Sequence, residues 1–209
     1  KDFKGKCSLF IAVDVPNYDR LGVSASAVHS KASKSATIDH HAYKERMSDL
    51  SYTDPDAAST TTLIWKLAQI LNTGNLGAVA KCCLTGLMTD TGSFQYQNAD
   101  MDAFTAAAQM VEAGADPSDI AVEFFQRRSL ASMELEAKTI ENMKFLCDGK
   151  VVISWVSAED ISSAHATKAD CEPLINVLRS IDGVKVACML RQQKDGVRGS
   201  LRAKDDTDV

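Results

Sequence analysis

The sequence lacks most of the features that would assign a chain at once. Its six cysteines, Cys7, Cys82, Cys83, Cys147, Cys171 and Cys188, form no C-x-x-C pair, and only four histidines are present. A structural zinc site is therefore not expected, and a chain of this size is a poor candidate for a disulfide framework. The thiols read as free groups in a reducing compartment. No apolar run approaches the ~20 residues of a membrane-spanning helix. No signal-peptide pattern opens the chain, which begins at Lys1 rather than Met. An excess of positive charge is missing too. The net charge of -5 argues against a broad footprint on long nucleic acid, but not against a small nucleotide held by metals and a few basic residues. These absences lead to an expectation of a cytoplasmic protein with no membrane partner.

What is present is the composition of a globular chain with a core: 45% hydrophobic and 24% charged over 209 residues. That length suits one large domain or two small ones. Short apolar runs at Leu9 to Val13 and Ala36 to Ile38 end at Asp14 and Asp39, and both have the length of buried strands. Helical spacing follows in Leu63, Ile64, Leu67 and Leu71, and again from Leu76 to Met88, stopped at Asp90, Thr91 and Gly92. Strands alternating with helices predict a parallel sheet flanked by helices. Met101, Phe104, Ala108 and Val111 share a helical face. Gly114 reads as a helix stop and Asp116-Pro117 as the next start.

A further helical pattern runs from about Leu130 to Met143. After it, Val151 to Val156 and Val184 to Leu190 read as strands around an amphipathic helix marked by Leu174, Val177, Leu178 and Ile181, and Val197 to Ala203 as a third strand. The expected architecture is α/β throughout: a parallel-sheet domain over 1–127, a helical linker over 128–147, and part of a smaller mixed α/β domain over 148–209. No repeat or low-complexity segment interrupts it.

Chemistry concentrates at Thr37-Ile38-Asp39-His40-His41, where an apolar strand runs into a carboxylate and two imidazoles. In open α/β sheets ligands bind beyond the carboxyl ends of the strands, and imidazole with carboxylate suits manganese, iron or zinc. A capped turn with two surface histidines is the alternative. Asp14, at the end of the first strand, and Asp90, in Gly86-Leu87-Met88-Thr89-Asp90-Thr91-Gly92, supply two more carboxylates at element ends. Convergence of three such clusters is what a two-metal site for phosphoryl chemistry needs.

Asp39-His40-His41, with Asp14 upstream and Asp90-Thr91-Gly92 downstream, resembles the DHH phosphoesterase superfamily. The stretch Tyr52-Thr53-Asp54-Pro55-Asp56-Ala57-Ala58-Ser59-Thr60 is similar to the oligoribonuclease and pAp-phosphatase (nanoRNase) branch. The segment from Lys150 to Lys204, with Gly199-Ser200-Leu201-Arg202-Ala203-Lys204, is similar to the front of the DHH-associated substrate domain. The resemblance implies a hydrolase of short oligoribonucleotides or 3'-phosphoadenosine 5'-phosphate (pAp) that activates water with two ions, usually Mn²⁺, Mg²⁺ or another divalent ion being an alternative. Asp14 would bridge the metals. His40 and Asp90 would bind one of them. His41 would lie nearer the scissile phosphate, and Asp39 would orient an imidazole. Arg202, with Ser200 beside it and Arg20 as a further candidate, would contact substrate.

The sequence departs from the family in four places. The family's opening His-x-(Asn/Asp)-x-Asp-x-Asp motif has no match before Asp14, where only Asp2 is acidic. No Gly-Gly-Gly-His type loop appears. Pro16-Asn17-Tyr18 stand where the family carries small residues, and Thr62 where relatives are often acidic. The expectation is a gene product clipped at both ends and inactive as residues 1–209 alone. A cyclic-dinucleotide phosphodiesterase, a RecJ-type exonuclease, an inorganic polyphosphatase and a degenerate nucleotide-binding protein remain alternatives, and a homodimer is compatible with the chain.

Overall fold

The structure is a computed structural model and describes residues 3, 5–42, 46–72 and 74–204. Asp2 and residues 205–209, which bear on the expected truncations, lie outside the described residues. The chain divides into two units, Lys1–Gln126 and Arg127–Val209. No helix is long and apolar enough to cross a membrane among the described residues.

In the first unit, strands β1 (Phe10–Val13), β2 (Ser35–Asp39) and β3 (Leu50–Thr53) pair in parallel in the order β1-β2-β3. Helix α1 (Tyr18–His29) connects the first two. Helices α2 (Thr60–Ile70), α3 (Leu76–Asp90), α4 (Met101–Glu112) and α5 (Pro117–Phe125) follow the sheet. Each of these four starts on a side-chain cap, Ser59, Asn75, Asp100 and Asp116 respectively, which serves peptide N–H groups the helix leaves unpaired.

Two elements of this unit were not expected from the sequence. Helix α1 has a weak apolar stripe, and Gly22 sits inside it at φ +71°. Strand β3 is a mixed Leu-Ser-Tyr-Thr run with no apolar stretch to mark it.

The strand register sorts the sheet into two unlike faces. Ile11, Ala36 and Leu50 align across one face, as do Val13, Ile38 and Tyr52. Ile11, Val13, Leu50 and Tyr52 are all exposed. The opposite face carries Ala12, Thr37 and Asp39, all buried. Its polar groups find partners, with the exception of Asp39 Oδ2. His29 packs edge-on against Phe10 and Tyr18, with ring centroids 5.1 Å away in each case. His29 Nε2 lies 3.3 Å from Ser48 Oγ, which lies 2.7 Å from Thr37 Oγ1.

The apolar core of this unit is made between helices instead. Trp65, Ala80, Cys83, Leu84, Leu87, Ala103, Met110 and Ile120 form one buried cluster. Burial pushes the Cys83 thiol up to about 11, which keeps it protonated.

The second unit contains α6 (Leu130–Glu141), β4 (Lys144–Leu146), β5 (Val151–Val156), α7 (Ala158–Ser163), a 3₁₀ turn (Ala169–Cys171), α8 (Leu174–Arg179), β6 (Val186–Gln193) and β7 (Gly196–Ala203). Its sheet runs β4-β5-β6-β7, parallel only between β5 and β6. Here the covered face of the sheet joins the core: Val152, Val156, Ala187 and Met189 cluster with Leu135, Leu174 and Leu178. Residues 128–147, expected as a helical linker, form α6 and β4, and Leu135 of α6 is fully buried in this unit's core. The helix expected to run to Met143 ends at Glu141, and Phe145 and its neighbours pair with β5 instead.

Candidate metal centre

The polar face of the first sheet leads directly to the site. Asp14 follows β1 and Asp39 is the last residue of β2. Asp14 sits at φ +60°, a left-handed backbone that Asp and Asn tolerate better than other side-chain-bearing residues. Its N–H donates to the Ile38 carbonyl at 3.0 Å, so the ladder between the two strands continues into the turn. Asp90 is the last residue of α3. Two strand ends and one helix end thus deliver carboxylates to one place.

His40 and His41 are held in different ways. His40 Nδ1 is 3.2 Å from the Ala57 carbonyl. A carbonyl only accepts, so Nδ1 carries the proton and Nε2 keeps its lone pair. That Nε2 lies 3.7 Å from Asp14 Oδ1 and 4.0 Å from Asp90 Oδ2. His41 Nδ1 is 2.8 Å from Asp39 Oδ1, which also accepts the His41 peptide N–H at 3.1 Å. Asp39 is buried and His41 about half exposed, so the carboxylate fixes the ring while its outer edge meets solvent.

These residues fit a divalent cation. Ligand atoms of Asp14, His40 and His41 all lie within 4.8 Å of one another. His41 Nδ1 is engaged by Asp39, and Asp90, outside that trio, brings Oδ2 to 4.0 Å from His40 Nε2. Asp39 Oδ2 is buried with no hydrogen-bond partner among the described residues, a situation that a nearby cation or ordered water relieves. The Asp90 carboxyl is pushed up, chiefly by burial. His40 pulls it down, the charge of Asp14 pushes it further up, and His41 pulls it down again. A carboxylate disfavoured by burial and by a like charge is one that a bound cation stabilises.

Two further features hold the site and were not singled out from the sequence. The Thr60 hydroxyl donates to Asp14 Oδ1 at 2.8 Å and accepts the His40 peptide N–H at 3.1 Å. The Asn98 amide donates to the Ala58 and Asp90 carbonyls at 3.0 and 3.2 Å, tying the end of α3 to the loop before α2. The Ser59-Thr60 pair, a helix start directly after an Asp-Pro-Asp turn, was the available signal for the first. Thr62 donates to the Ser59 carbonyl at 2.7 Å and so completes the first turn of α2.

Of the residues expected to touch substrate, Arg20 belongs to the first unit and Ser200 and Arg202 to the second. Arg20 is exposed in the first turn of α1, its peptide N–H on the Asn17 cap at 3.1 Å. Ser200 and Arg202 lie two apart on β7 of the second unit, opposite Met189 and Ala187. Arg202 is exposed, with Nη1 donating to the Leu201 carbonyl at 2.8 Å.

A parallel sheet with Asp-His-His and a further aspartate at its strand ends, followed by a mixed-sheet unit, is the arrangement that the resemblance to DHH phosphoesterases leads one to expect. Known proteins agree. The chain is 26% identical over 167 residues to the "Bifunctional oligoribonuclease and PAP phosphatase NrnA" of Thermus thermophilus, covering 80% of this chain and 50% of that one. It is 26% identical over 205 residues to a probable NrnA of Streptococcus mutans, covering 98% of this chain and 64% of that one. Against the Bacillus subtilis NrnA it is 21% identical over 204 residues, covering 94% and 62%. The crystal structure of an exopolyphosphatase-related protein from Bacteroides fragilis superposes with a TM-score of 0.85 at 25% identity, covering 94% of this chain and 58% of that one. No protein-family model matches the chain. The chain is thus similar to DHH-type phosphoesterases, the oligoribonuclease and PAP phosphatase relatives among them, and it spans between half and two thirds of the length of those relatives.

Proposed function

We propose that the polypeptide carrying this chain is a divalent-metal hydrolase of phosphate esters that acts on short oligoribonucleotides and on pAp, with Mn²⁺ as its first-choice ion. The observation that carries this reading is the meeting of Asp14, His40 and Asp90, beside an Asp39–His41 pair, at the carboxyl end of a parallel sheet. Asp14, His40 Nε2 and Asp90 would hold the ion. Divalent cations in such sites neutralise charge on a phosphoryl group and make water acidic enough to attack it.

The remaining chemistry belongs to the chain. The Ala57 carbonyl keeps the proton of His40 on Nδ1, so Nε2 is available as a ligand without a proton being displaced. Asp39 fixes the His41 proton on Nδ1, leaving Nε2 to accept or donate a proton at a phosphate oxygen, while the buried carboxylate stabilises the ring when it is charged. Arg202 and Ser200 supply a guanidinium fork and a hydroxyl to a substrate phosphate or base, and Arg20 adds a second cation. The modest size of the basic inventory, with net charge -5, favours a short substrate over a long strand. A homodimer has no support in the comparisons and is not part of this reading.

The test is turnover by the complete gene product, with Mn²⁺, of a dinucleotide, pAp, a cyclic dinucleotide and a long single strand. Cleavage of the first two is the expected result. Turnover confined to the cyclic or the long substrate would transfer the assignment to those classes. Nucleotide binding without turnover of any of the four would leave a binding protein.

A further inference from the structure

We infer that Thr60 is a positioning residue for the metal centre: its single hydroxyl proton selects which lone pairs of Asp14 remain for the cation, and its oxygen anchors the peptide that carries His40. This rests on the metal-centre reading above. Thr60 is essentially fully buried at the first position of α2. Its hydroxyl is not used to start the helix, because Ser59 already does that, accepting the Thr62 N–H at 3.3 Å. It is therefore free for the site, and its contacts are specific. Two carboxylates lie within reach, Asp14 Oδ1 at 2.8 Å and Asp39 Oδ1 at 3.4 Å. The Asp39 oxygen already accepts two bonds from His41, so the one proton goes to Asp14. The oxygen then accepts the His40 peptide N–H at 3.1 Å.

One hydroxyl thereby couples the two strand ends. The Asp14 carboxylate is about half exposed and stands on a left-handed backbone, so without this bond its side chain is free to turn among rotamers. With it, one lone pair of Oδ1 is occupied, and the others, on Oδ1 and on Oδ2, point to fixed places. The β-branched threonine is itself stiff in a helix, so the donor does not wander either. A serine keeps the hydroxyl and loses only part of that stiffness; a valine keeps the shape and loses the hydroxyl.

The experiment measures Mn²⁺ binding by calorimetry in the complete gene product for Thr60→Val, Thr60→Ser, Asp14→Asn and the Asp14→Asn/Thr60→Val double variant, with melting of the metal-free proteins alongside. Groups that orient a metal ligand typically account for about 10–100-fold in metal affinity, and Thr60→Val is expected to lose affinity in that range, with Thr60→Ser much nearer the wild type. In the Asp14→Asn background, Thr60→Val should cost clearly less Mn²⁺ affinity than it does in the wild type, because the carboxylate it positions is gone and only the anchor of the His40 peptide remains to be lost. Should valine prevent folding, Thr60→Ala removes the hydroxyl without placing a methyl against the carboxylates and is read in the same way. Wild-type affinity in Thr60→Val or Thr60→Ala, with Asp14→Asn clearly weakened, overturns the positioning role and leaves the metal centre standing. Unchanged affinity in Asp14→Asn itself overturns the metal centre, and the role of Thr60 with it.

Discussion

The two sheets of the molecule use their covered faces for different purposes. In the second unit the covered face is apolar, and Val152, Val156, Ala187 and Met189 pack directly into the core with Leu135 and Leu174. In the first unit the covered face carries Ala12, Thr37 and Asp39, and among the described residues the main apolar cluster, which gathers α2, α3, α4 and α5, includes no strand residue. A sheet that contributes little to its own core can give its buried positions to polar groups. The cost is a set of hydroxyl, imidazole and carboxylate partners that must all be in place. The first sheet gives its buried positions to the groups of the proposed metal centre, and the helices carry the larger apolar cluster.

That division can be tested by substitution. The largest effect is expected on activity with little effect on folding: Asp14→Ala in the complete gene product should lower dinucleotide turnover with Mn²⁺ by more than the ~10–100-fold typical of residues that only orient a ligand. His41→Ala should cost less, because in the proposed centre Asp14 would hold the cation and His41 would act at its edge. Near-normal turnover in Asp14→Ala would remove the carboxylate from the site.

Next comes the apolar core. Leu174→Ala, at a fully buried position of the second unit, should cost about 2–5 kcal/mol in urea denaturation, whereas Thr37→Val, on the covered face of the first sheet, should alter stability mainly by leaving Ser48 Oγ with His29 Nε2 in place of its shorter bond to Thr37. If both cost the same through lost packing, the contrast between the sheets fails.

A smaller effect is expected at Gly86, where α3 meets α2. A Cβ there would stand 2.3 Å from Thr61 Cγ2, so Gly86→Ala should destabilise the first unit by about 1–3 kcal/mol, visible as a lowered denaturation midpoint. An unchanged midpoint would show that the helix pair has slack.

The smallest effect concerns Asp90, whose carboxyl is raised above 3.8 chiefly by burial. In the window from that value up to the raised one, the folded protein holds the proton more tightly than the unfolded chain. Stability of the metal-free protein therefore falls as pH rises through that window. Asp90→Asn should flatten the dependence of melting temperature on pH there; a curve as steep as that of the wild type would show that another group is responsible.

How far the sequence revealed all this follows the same division. Strands ending at Asp14 and Asp39, and the helices from Leu63 to Val111, were legible because their apolar residues recur at the period of the element that buries them. Helix α1 was not, because its stripe is weak and Gly22 interrupts it. β3 was not, because half of its four residues are polar. In the site, Asp14, Asp39, His40, His41 and Asp90 were visible as polar residues at the ends of apolar elements. Thr60 and the Ala57 carbonyl were hidden, because a hydroxyl that completes a carboxylate and a carbonyl that fixes a tautomer leave no pattern in the sequence beyond an ordinary helix start. The second unit's α6 was legible as a helix, while its place in that unit's core depended on Leu135 meeting strands distant in sequence.

The left-handed turn at Asp14 also narrows the route by which this position can change. Glutamate would keep the charge, but it tolerates that backbone less well and its longer arm would carry the carboxylate away from the Thr60 hydroxyl. Asparagine and glycine suit the backbone and bring no negative charge. Within the common amino acids a single occupant meets both demands, so the position has almost no neutral neighbours in sequence space. A homologue that carries another residue there is expected to have changed its chemistry rather than drifted.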